Sequence, residues 1–249
     1  MIPLALVGLG KIARDQHIPA ITASGAFTLA ATVDPQAAGI EGIPHFTDLA
    51  TMRAALPQVA AAAICTPPQV RAAVAAAAIH AGLHVLLEKP PAASISQARA
   101  LSASASERGV SLFAAWHSRA AGGVRPARAW LASKTIHSLN IHWREDVRQW
   151  HPGQAWIWQA GGLGVFDPGI NALSILTTLL PGEVVLERAV LDVPVNCAAP
   201  IAALLDLRSA AGASVTADFD FRQTGRQTWE ISVETDAGTL LLEDGGGKL

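Results

Sequence analysis

The sequence predicts a protein of the α/β class, in which a doubly wound parallel sheet precedes an α+β domain with a large open, mainly antiparallel sheet. Three observations support this prediction. Over residues 1–116, short apolar runs alternate with alanine-rich segments of helical length, and a glycine turn joins the first run to the first helical segment. Residues 117–249 contain successive strand-like segments separated by short turns. A chain of 249 residues has room for two domains, which we place at residues 1–116 and 117–249.

The elements of the first domain follow from this alternation. We predict strands at residues 4–7, 29–33, 60–65, 85–87 and 111–115, and helices at residues 12–24, 49–56, 70–81 and 94–107. Ser94 stands where a helix should begin, and Gly82 and Gly109 stand where helices should end. Strands that alternate with helices need crossover connections, so this sheet should be parallel and covered on both faces.

The second domain has a different order of elements. We predict helices at residues 124–132 and 170–180, and strands at residues 136–144, 184–193, 202–207, 214–221, 228–234 and 239–242. Short turns such as Ala211-Gly212 favour antiparallel neighbours. The final segment, residues 243–249, resembles a turn that enters another strand, so we expect this domain to be truncated at its C-terminus.

Composition and charge exclude several classes of protein. Hydrophobic residues make up 51% of the chain, charged residues 15%, and the net charge is −2, which gives no electrostatic basis for binding nucleic acid or an anionic membrane. The most apolar stretch, residues 59–79, is broken by Pro67, Pro68 and Arg71, and the chain begins without a secretory signal. We therefore expect a cytoplasmic protein. Its two cysteines and scattered histidines show no metal-ligand spacing, so we predict no metal.

A glycine turn follows the first predicted strand and begins the first helix. It reads Gly8-Leu9-Gly10-Lys11-Ile12-Ala13, which has the spacing of a dinucleotide-binding fingerprint in the required strand-to-helix context. Gly8 would allow the tight turn, Gly10 the close approach of a pyrophosphate, and Ala13 the packing of helix on strand. The free N–H groups of the helix start would then bind the phosphates.

Asp34 supports the dinucleotide interpretation, because an acidic residue about 20 positions after the glycine turn accepts hydrogen bonds from the adenosine ribose. The same carboxylate would repel a 2′-phosphate, and Pro35 and Gln36 offer no cation to hold one. NAD should therefore be preferred, with NADP as a second possibility. The alternative is that Asp34 only starts a turn before Pro35.

Three more motifs lie in order along the chain: Cys65-Thr66-Pro67-Pro68, Glu88-Lys89-Pro90-Pro91, and the segment from Gly161 to Asn171 that contains Asp167-Pro168-Gly169. Together with the glycine turn they resemble the glucose-fructose oxidoreductase, inositol dehydrogenase and rhizopine-catabolism (Gfo/Idh/MocA) family over the whole chain. The resemblance implies a Rossmann domain, an α+β domain, and hydride transfer between a nicotinamide cofactor and a sugar or polyol. It places the following residues at the cofactor: Gly8, Gly10, Lys11, Ile12, Asp34, Thr66, Pro67, Pro68, Glu88 and Lys89.

Two segments narrow the expected substrate. His117-Ser118-Arg119 and Trp150-His151-Pro152-Gly153-Gln154 resemble the aldose 1-dehydrogenases of this family that act on L-arabinose and D-galactose. This resemblance implies oxidation of the anomeric hydroxyl to an aldonolactone, with hydride passing to nicotinamide C4. It makes His117, Glu145 and His151 sugar contacts and Trp150 a wall of the pocket, and it allows a homo-oligomer formed through the C-terminal sheet.

The chemistry needs a group that takes the hydroxyl proton while the C1 hydride leaves. Lys89 ends a parallel strand, on the side where ligands of doubly wound sheets bind, and its ammonium group could favour the developing alkoxide. Asp167 and Asn171 stand four residues apart at a helix start and can face one ligand. Because Asn171 replaces the histidine usual in the family and cannot act as a base, the base is Asp167 or Lys89.

Less specific roles are open for both residues, since Lys89 could be a surface charge and Asp167 a helix cap. Two other functions also stay open. One is another sugar, polyol or dihydrodiol oxidoreductase of the same family. The other is a non-catalytic protein that senses NAD or a sugar. The missing histidine at position 171 would favour this second function.

Overall fold

A computed structural model describes residues 1–249, and the chain divides into two compact units, Met1–Ala115 and Trp116–Leu249. Each unit contains one six-stranded sheet. None of the helices has both the length and the apolar character needed to cross a bilayer.

The first unit has a parallel sheet, which confirms the predicted fold class. Its strands are β1 (Ile2–Val7), β2 (Phe27–Val33), β3 (His45–Phe46), β4 (Ala61–Ile64), β5 (His84–Leu87) and β6 (Leu112–Ala114). They lie in the order β3-β2-β1-β4-β5-β6, and all five neighbouring pairs are parallel. This is the strand order of a Rossmann fold, in which β1 and β4 flank the point where the order reverses.

The helices of this unit are α1 (Ile18–Ser24), α2 (Leu49–Ala55), α3 (Pro68–His80) and α4 (Ile95–Arg108). Ser94 accepts a hydrogen bond from the Gln97 N–H, and Gly109 ends α4 in the left-handed conformation, as the sequence predicts. The first helix differs from the prediction, because Ala13–His17 form a π-helical turn before α1. The cause is Pro19, which lacks an N–H and whose ring would clash with the preceding turn of a regular α-helix.

The core of this unit lies on both faces of the sheet. Alternate residues of β1 belong to opposite clusters, with Ala5 and Val7 in one and Leu4 and Leu6 in the other. A central strand that is buried on both faces gives the continuous apolar run seen in the sequence. The small side chains of α3, among them Ala75 and Ala78, are fully buried and let this helix lie close to the sheet.

The second unit has a mainly antiparallel sheet, again as predicted. Its strands are β7 (Ile136–Arg144), β8 (Val184–Asp192), β9 (Ala202–Ser209), β10 (Ser214–Asp220), β11 (Thr228–Thr235) and β12 (Gly238–Leu242), in the order β12-β11-β7-β10-β9-β8. The β7–β10 pair is parallel and the other pairs are antiparallel. The local turns could not predict the parallel pair, because its two strands are far apart in the chain.

The helices of this unit are α5 (Val124–Leu131), α6 (Val147–Trp150) and α7 (Phe166–Leu179). Buried residues of α5 and α7 form one core with one face of the sheet, so strands such as β9 alternate between buried and exposed side chains. The helix predicted at residues 170–180 begins earlier, at Phe166. This start places Asp167 inside the first turn of α7 and Asn171 one turn later.

Candidate active site

The glycine turn of the first unit lies at the reversal point of the parallel sheet. Gly8 has a φ of +86°, and a Cβ on it would lie 2.9 Å from the Thr66 backbone nitrogen. Glycine is therefore required here, both for the conformation and for the close approach of the loops after β1 and β4. A Cβ on Gly10 would meet nothing within 4 Å, so this position faces open space next to the helix start. The turn fits a dinucleotide pyrophosphate bound at that helix start.

Asp34 holds the turn after β2 and also contacts the glycine turn. Its Oδ2 accepts a hydrogen bond from the Leu9 N–H at 2.8 Å, and its Oδ1 accepts from the N–H groups of Gln36 and Ala37, each at 2.8 Å. Partial burial works to raise the pKa of Asp34, but the three backbone donors hold it below its ordinary value. Asp34 therefore does hold the turn before Pro35, which was the alternative interpretation of this residue. Its carboxylate still has lone pairs that can accept a hydrogen bond from a ribose hydroxyl.

Arg14 places a positive charge beside the loop after β2. The sequence next to Asp34, which has Pro35 and Gln36, gives no sign of this cation. Its Nε donates to the Leu9 carbonyl at 3.1 Å and its Nη2 to the Ala38 carbonyl at 2.8 Å. Lys11 and Ile12 are both exposed, and Lys11 forms an ion pair with Asp15 on the same helix. Lys11 therefore pairs within its own segment, whereas Arg14 contacts the loop after β2.

The loop with Thr66 and the loop with Lys89 are joined by a residue that the sequence analysis missed. Arg71 of α3 is almost fully buried; its Nε donates to the Thr66 carbonyl at 3.0 Å, and its Nη1 donates to the Glu88 carbonyl at 2.8 Å. Arg71 also donates to the Pro90 carbonyl. Pro67 is the N-cap and Pro68 the first residue of α3, directly after Thr66, whose Oγ1 is buried without a hydrogen-bond partner.

Lys89 follows the carboxyl end of β5, as predicted, and Glu88 before it is buried. The Glu88 Oε1 lies 2.7 Å from the His17 Nε2, and its Oε2 accepts the Lys89 N–H at 3.1 Å. Burial alone would raise the pKa of Glu88, but the hydrogen bond and charge interaction with His17, followed by those with Lys89, bring it below its ordinary value. His17 is a second residue that the sequence analysis missed.

The second unit brings together three of the predicted sugar-binding and catalytic residues. Glu145 and Asp167 are buried, with 3% and 6% of their surface exposed. The His151 Nε2 lies 3.3 Å from the Glu145 Oε1 and 3.8 Å from the Asp167 Oδ2. One imidazole thus lies within ion-pair distance of two buried carboxylates, and these three groups can accept hydrogen bonds from, and donate them to, neighbouring hydroxyl groups.

An aromatic group supports this cluster. The Trp229 Nε1 donates to the Glu145 Oε2 at 2.9 Å, and its ring packs against Trp150 with centroids 5.0 Å apart. The Trp150 Nε1 is buried without a partner. Trp229 pairs with Trp143 across β11 and β7, and the ring of His151 lies 5.5 Å from that of Phe221. Trp229 is a third residue that the sequence analysis missed.

Two more of the predicted residues, Asn171 and His117, lie on α7 and in a turn that packs against it. Asn171 is half-buried on α7, one turn after Asp167. His117 is exposed in a 3-10 turn that packs against α7, with its Nδ1 3.3 Å from the Ser118 Oγ.

In the whole described chain, no group of three His, Cys, Asp or Glu side chains is arranged to hold a metal ion. Both cysteines are free thiols, and burial followed by the nearby Glu88 raises the pKa of Cys65.

Comparison with known proteins agrees with the four ordered motifs. Galactose 1-dehydrogenase from Pseudomonas fluorescens is 47% identical over 249 residues, which cover 100% of this chain and 80% of that protein. The crystal structure of D-galactose-1-dehydrogenase protein from Rhizobium etli has 52% identity and a TM-score of 0.93, covering 99% of this chain and 80% of that chain.

More distant structures share the fold. The WlbA dehydrogenase from Bordetella pertussis, in complex with NADH and UDP-GlcNAcA, is 20% identical with a TM-score of 0.88, covering 100% of this chain and 81% of that chain. Residues 2–115 match the profile of the oxidoreductase family with an NAD-binding Rossmann fold, GFO_IDH_MocA. This chain belongs to the Gfo/Idh/MocA family of oxidoreductases, as the motifs predict.

Proposed function

We propose that this chain is a sugar 1-dehydrogenase that oxidises the C1 hydroxyl of D-galactose, or of L-arabinose, to the aldonolactone. In this reaction C1 loses a hydride, the hydroxyl loses a proton, and a C1=O bond forms. The observation that supports the proposal most is the buried group of Glu145, His151 and Asp167. The identity of 47% and 52% to two galactose dehydrogenases supports the choice of sugar.

The cluster suits a sugar because a carboxylate and an imidazole can satisfy adjacent hydroxyls. Glu145 already receives the Trp229 N–H and lies next to His151, and an ionised carboxylate has further lone pairs for hydroxyl donors. D-Galactose and L-arabinose share their ring hydroxyl stereochemistry and differ by one hydroxymethyl group. A pocket discriminates weakly on such a group unless a dedicated contact or clash is present, so both sugars should be accepted.

Asp167 is our choice for the proton acceptor, with Asn171 orienting the sugar and Lys89 donating a hydrogen bond to the reacting oxygen. Asn171 has no basic group, whereas Asp167 has a carboxylate, whose Oδ2 lies 3.8 Å from the His151 Nε2. The Lys89 ammonium group favours the alkoxide as negative charge develops on the oxygen. Lys89 is the competing candidate for the base.

The cofactor proposed is NAD, with NADP as a weaker alternative. When bound, the nicotinamide supplies the hydride acceptor for the reaction. Gly8, Gly10 and the helix start would hold the pyrophosphate, and the Asp34 carboxylate would accept hydrogen bonds from the adenosine ribose while disfavouring a 2′-phosphate. Arg14, which donates to the Leu9 and Ala38 carbonyls, is the cation that makes NADP the alternative.

The substitutions Asp167→Asn and Lys89→Met test the catalytic assignment. We expect each to lower kcat for D-galactose and L-arabinose at least about 100-fold, because each removes a group that acts on the reacting hydroxyl. Exposed matched controls, Asp206→Asn and Arg188→Met, should stay within about two-fold, as surface changes usually do. Unchanged turnover in either test variant would refute the role assigned to that residue.

A second candidate function is a protein that binds NAD and a sugar without turnover, which the asparagine at position 171 favours. An assay of cofactor reduction with a series of aldoses distinguishes the two functions. A sensor would bind NADH and sugar but reduce no cofactor with any of them. Reduction with inositols and not with aldoses would instead indicate another polyol oxidoreductase of the same family.

A further inference from the structure

We propose that His17 is a positioning residue for Lys89, acting through the buried carboxylate of Glu88. The inference rests on the proposed function, in which Lys89 contacts the reacting hydroxyl. His17 ends the π-helical turn after the glycine loop, and Glu88 follows β5, so the two residues come from different crossovers of the same unit. Their side chains are mostly buried, with 13% and 8% exposed, and their Nε2 and Oε1 atoms lie 2.7 Å apart.

Glu88 is held through its backbone and both carboxylate oxygens. Its N–H donates to the Ile64 carbonyl at 3.2 Å, and its own carbonyl accepts from Arg71 at 2.8 Å. The Oε2 accepts the Lys89 N–H at 3.1 Å, which leaves the Oε1 to His17. The peptide that joins Glu88 to Lys89 is thus fixed from the side of α3 by Arg71 and from the glycine-loop helix by His17.

Loss of His17 would move this peptide. A buried carboxylate oxygen without its donor carries a desolvation cost, and the cost falls if the carboxylate rotates or takes up a proton. Either response weakens the acceptor of the Lys89 N–H and gives the Lys89 backbone more freedom. A displacement of about 1 Å at a reacting group can cost about 100-fold in rate. His17 therefore stabilises the position from which Lys89 acts, although it need not contact the sugar.

The geometry also argues against a role limited to packing. His17 and Glu88 meet through polar atoms, the imidazole Nε2 and the carboxylate Oε1, and not through apolar surface. Their contact lies beside the carboxyl end of β5, next to Lys89, and not within the sheet. A pair at that place stabilises the geometry of residues 88–90 more directly than it stabilises the core.

The test compares His17→Leu with His17→Gln, because a glutamine amide can replace the Nε2 donor. We expect His17→Leu to lower kcat at least about ten-fold while the KM for sugar and the Kd for NADH, measured by fluorescence without sugar, change less than about two-fold. His17→Gln should recover most of kcat. The matched control His80→Leu removes an exposed histidine of α3 and should leave all three constants unchanged.

Glu88→Gln keeps the test decisive if His17→Leu folds poorly, since it leaves His17 unchanged and should lower kcat by a similar factor. Where His17→Leu folds, a double-mutant cycle follows: the effects of His17→Leu and Glu88→Gln should be non-additive, because both act on one contact. Full kcat in His17→Leu, or additive losses, would overturn the inference. Full turnover in Lys89→Met would instead refute the catalytic role in the proposed function, so the two failures are distinguishable.

Discussion

At the scale of single residues, the Asp34 carboxylate has one observed role and one proposed role. It accepts backbone N–H groups from Leu9, Gln36 and Ala37, and in the proposed cofactor site its charge would repel a 2′-phosphate. Asp34→Asn removes the charge and keeps one acceptor oxygen, which suffices for the Gln36 and Ala37 N–H groups, whereas the Leu9 N–H loses its acceptor. Because this loss is common to both cofactors, the ratio of their affinities reports the electrostatic role.

We expect Asp34→Asn to tighten NADPH binding about ten-fold relative to NADH, because the repulsion of the phosphate is removed while Arg14 remains. Arg14→Gln should have the opposite effect and weaken NADPH binding more than NADH binding. Fluorescence titration of the two reduced cofactors measures both ratios. An unchanged NADPH-to-NADH ratio in Asp34→Asn would contradict the proposed basis for NAD preference.

The partners that hold the predicted site residues in place could not be predicted from the local sequence pattern. The sequence places Glu145 and Lys89 at strand ends, where chemistry is expected. Trp229, the partner of Glu145, lies 84 residues from it, and His17 lies 71 residues from its partner Glu88, the neighbour of Lys89. A lone tryptophan or histidine is more often a packed residue than a partner of a functional group. Only the strand pairing and the crossovers bring these residues together.

At the scale of elements, the loop before α7 fixes where Asp167 lies. Gly164 has a φ of +51°, and a Cβ on it would lie 2.1 Å from the Pro200 carbonyl oxygen. A Cβ on Gly162 would lie 2.4 Å from the Trp156 carbonyl oxygen. The glycines of this motif are thus required for close backbone approach, and they set the start of the helix that carries Asp167 and Asn171.

We expect Gly164→Ala to lower the free energy of unfolding by at least about 2 kcal/mol, from a strained φ together with a backbone clash. Gly212→Ala is the matched control, because Gly212 also has a positive φ but open space around it, and should cost only about 1 kcal/mol. Urea unfolding compares the two variants. Equal destabilisation would show that the approach to Pro200 contributes nothing.

The elements that depend on the local sequence pattern lie where they were predicted, whereas the elements that depend on distant partners were not predicted. The helices α2 to α5 and the long strands lie close to their predicted positions, since apolar period and caps are local properties. The strand β3 has only two residues and exists through its pairing with β2. The parallel pairing of β7 with β10 and the π-helical turn at Ala13–His17 likewise depend on context that periodicity does not contain.

At the scale of the whole molecule, each unit contributes a different part of the proposed chemistry. The first has the glycine turn, Asp34 and Lys89, and the second has the cluster of Glu145, His151 and Asp167. The exposed apolar residues of β8, Val185, Leu186, Val190 and Leu191, lie on the sheet where we predict a homo-oligomer contact. That contact stays a prediction, and the reaction at C1 does not depend on it.

The transfer of hydrogen from C1 of the sugar tests the central claim most directly. D-Galactose deuterated at C1 is incubated with the enzyme and NAD, and the reduced cofactor and the sugar product are analysed by NMR and mass spectrometry. We predict NADH that carries deuterium at nicotinamide C4, together with galactonolactone that has lost it. Unlabelled NADH with deuterium retained at C1 of the product, or no reduction of the cofactor, would contradict oxidation of the anomeric hydroxyl.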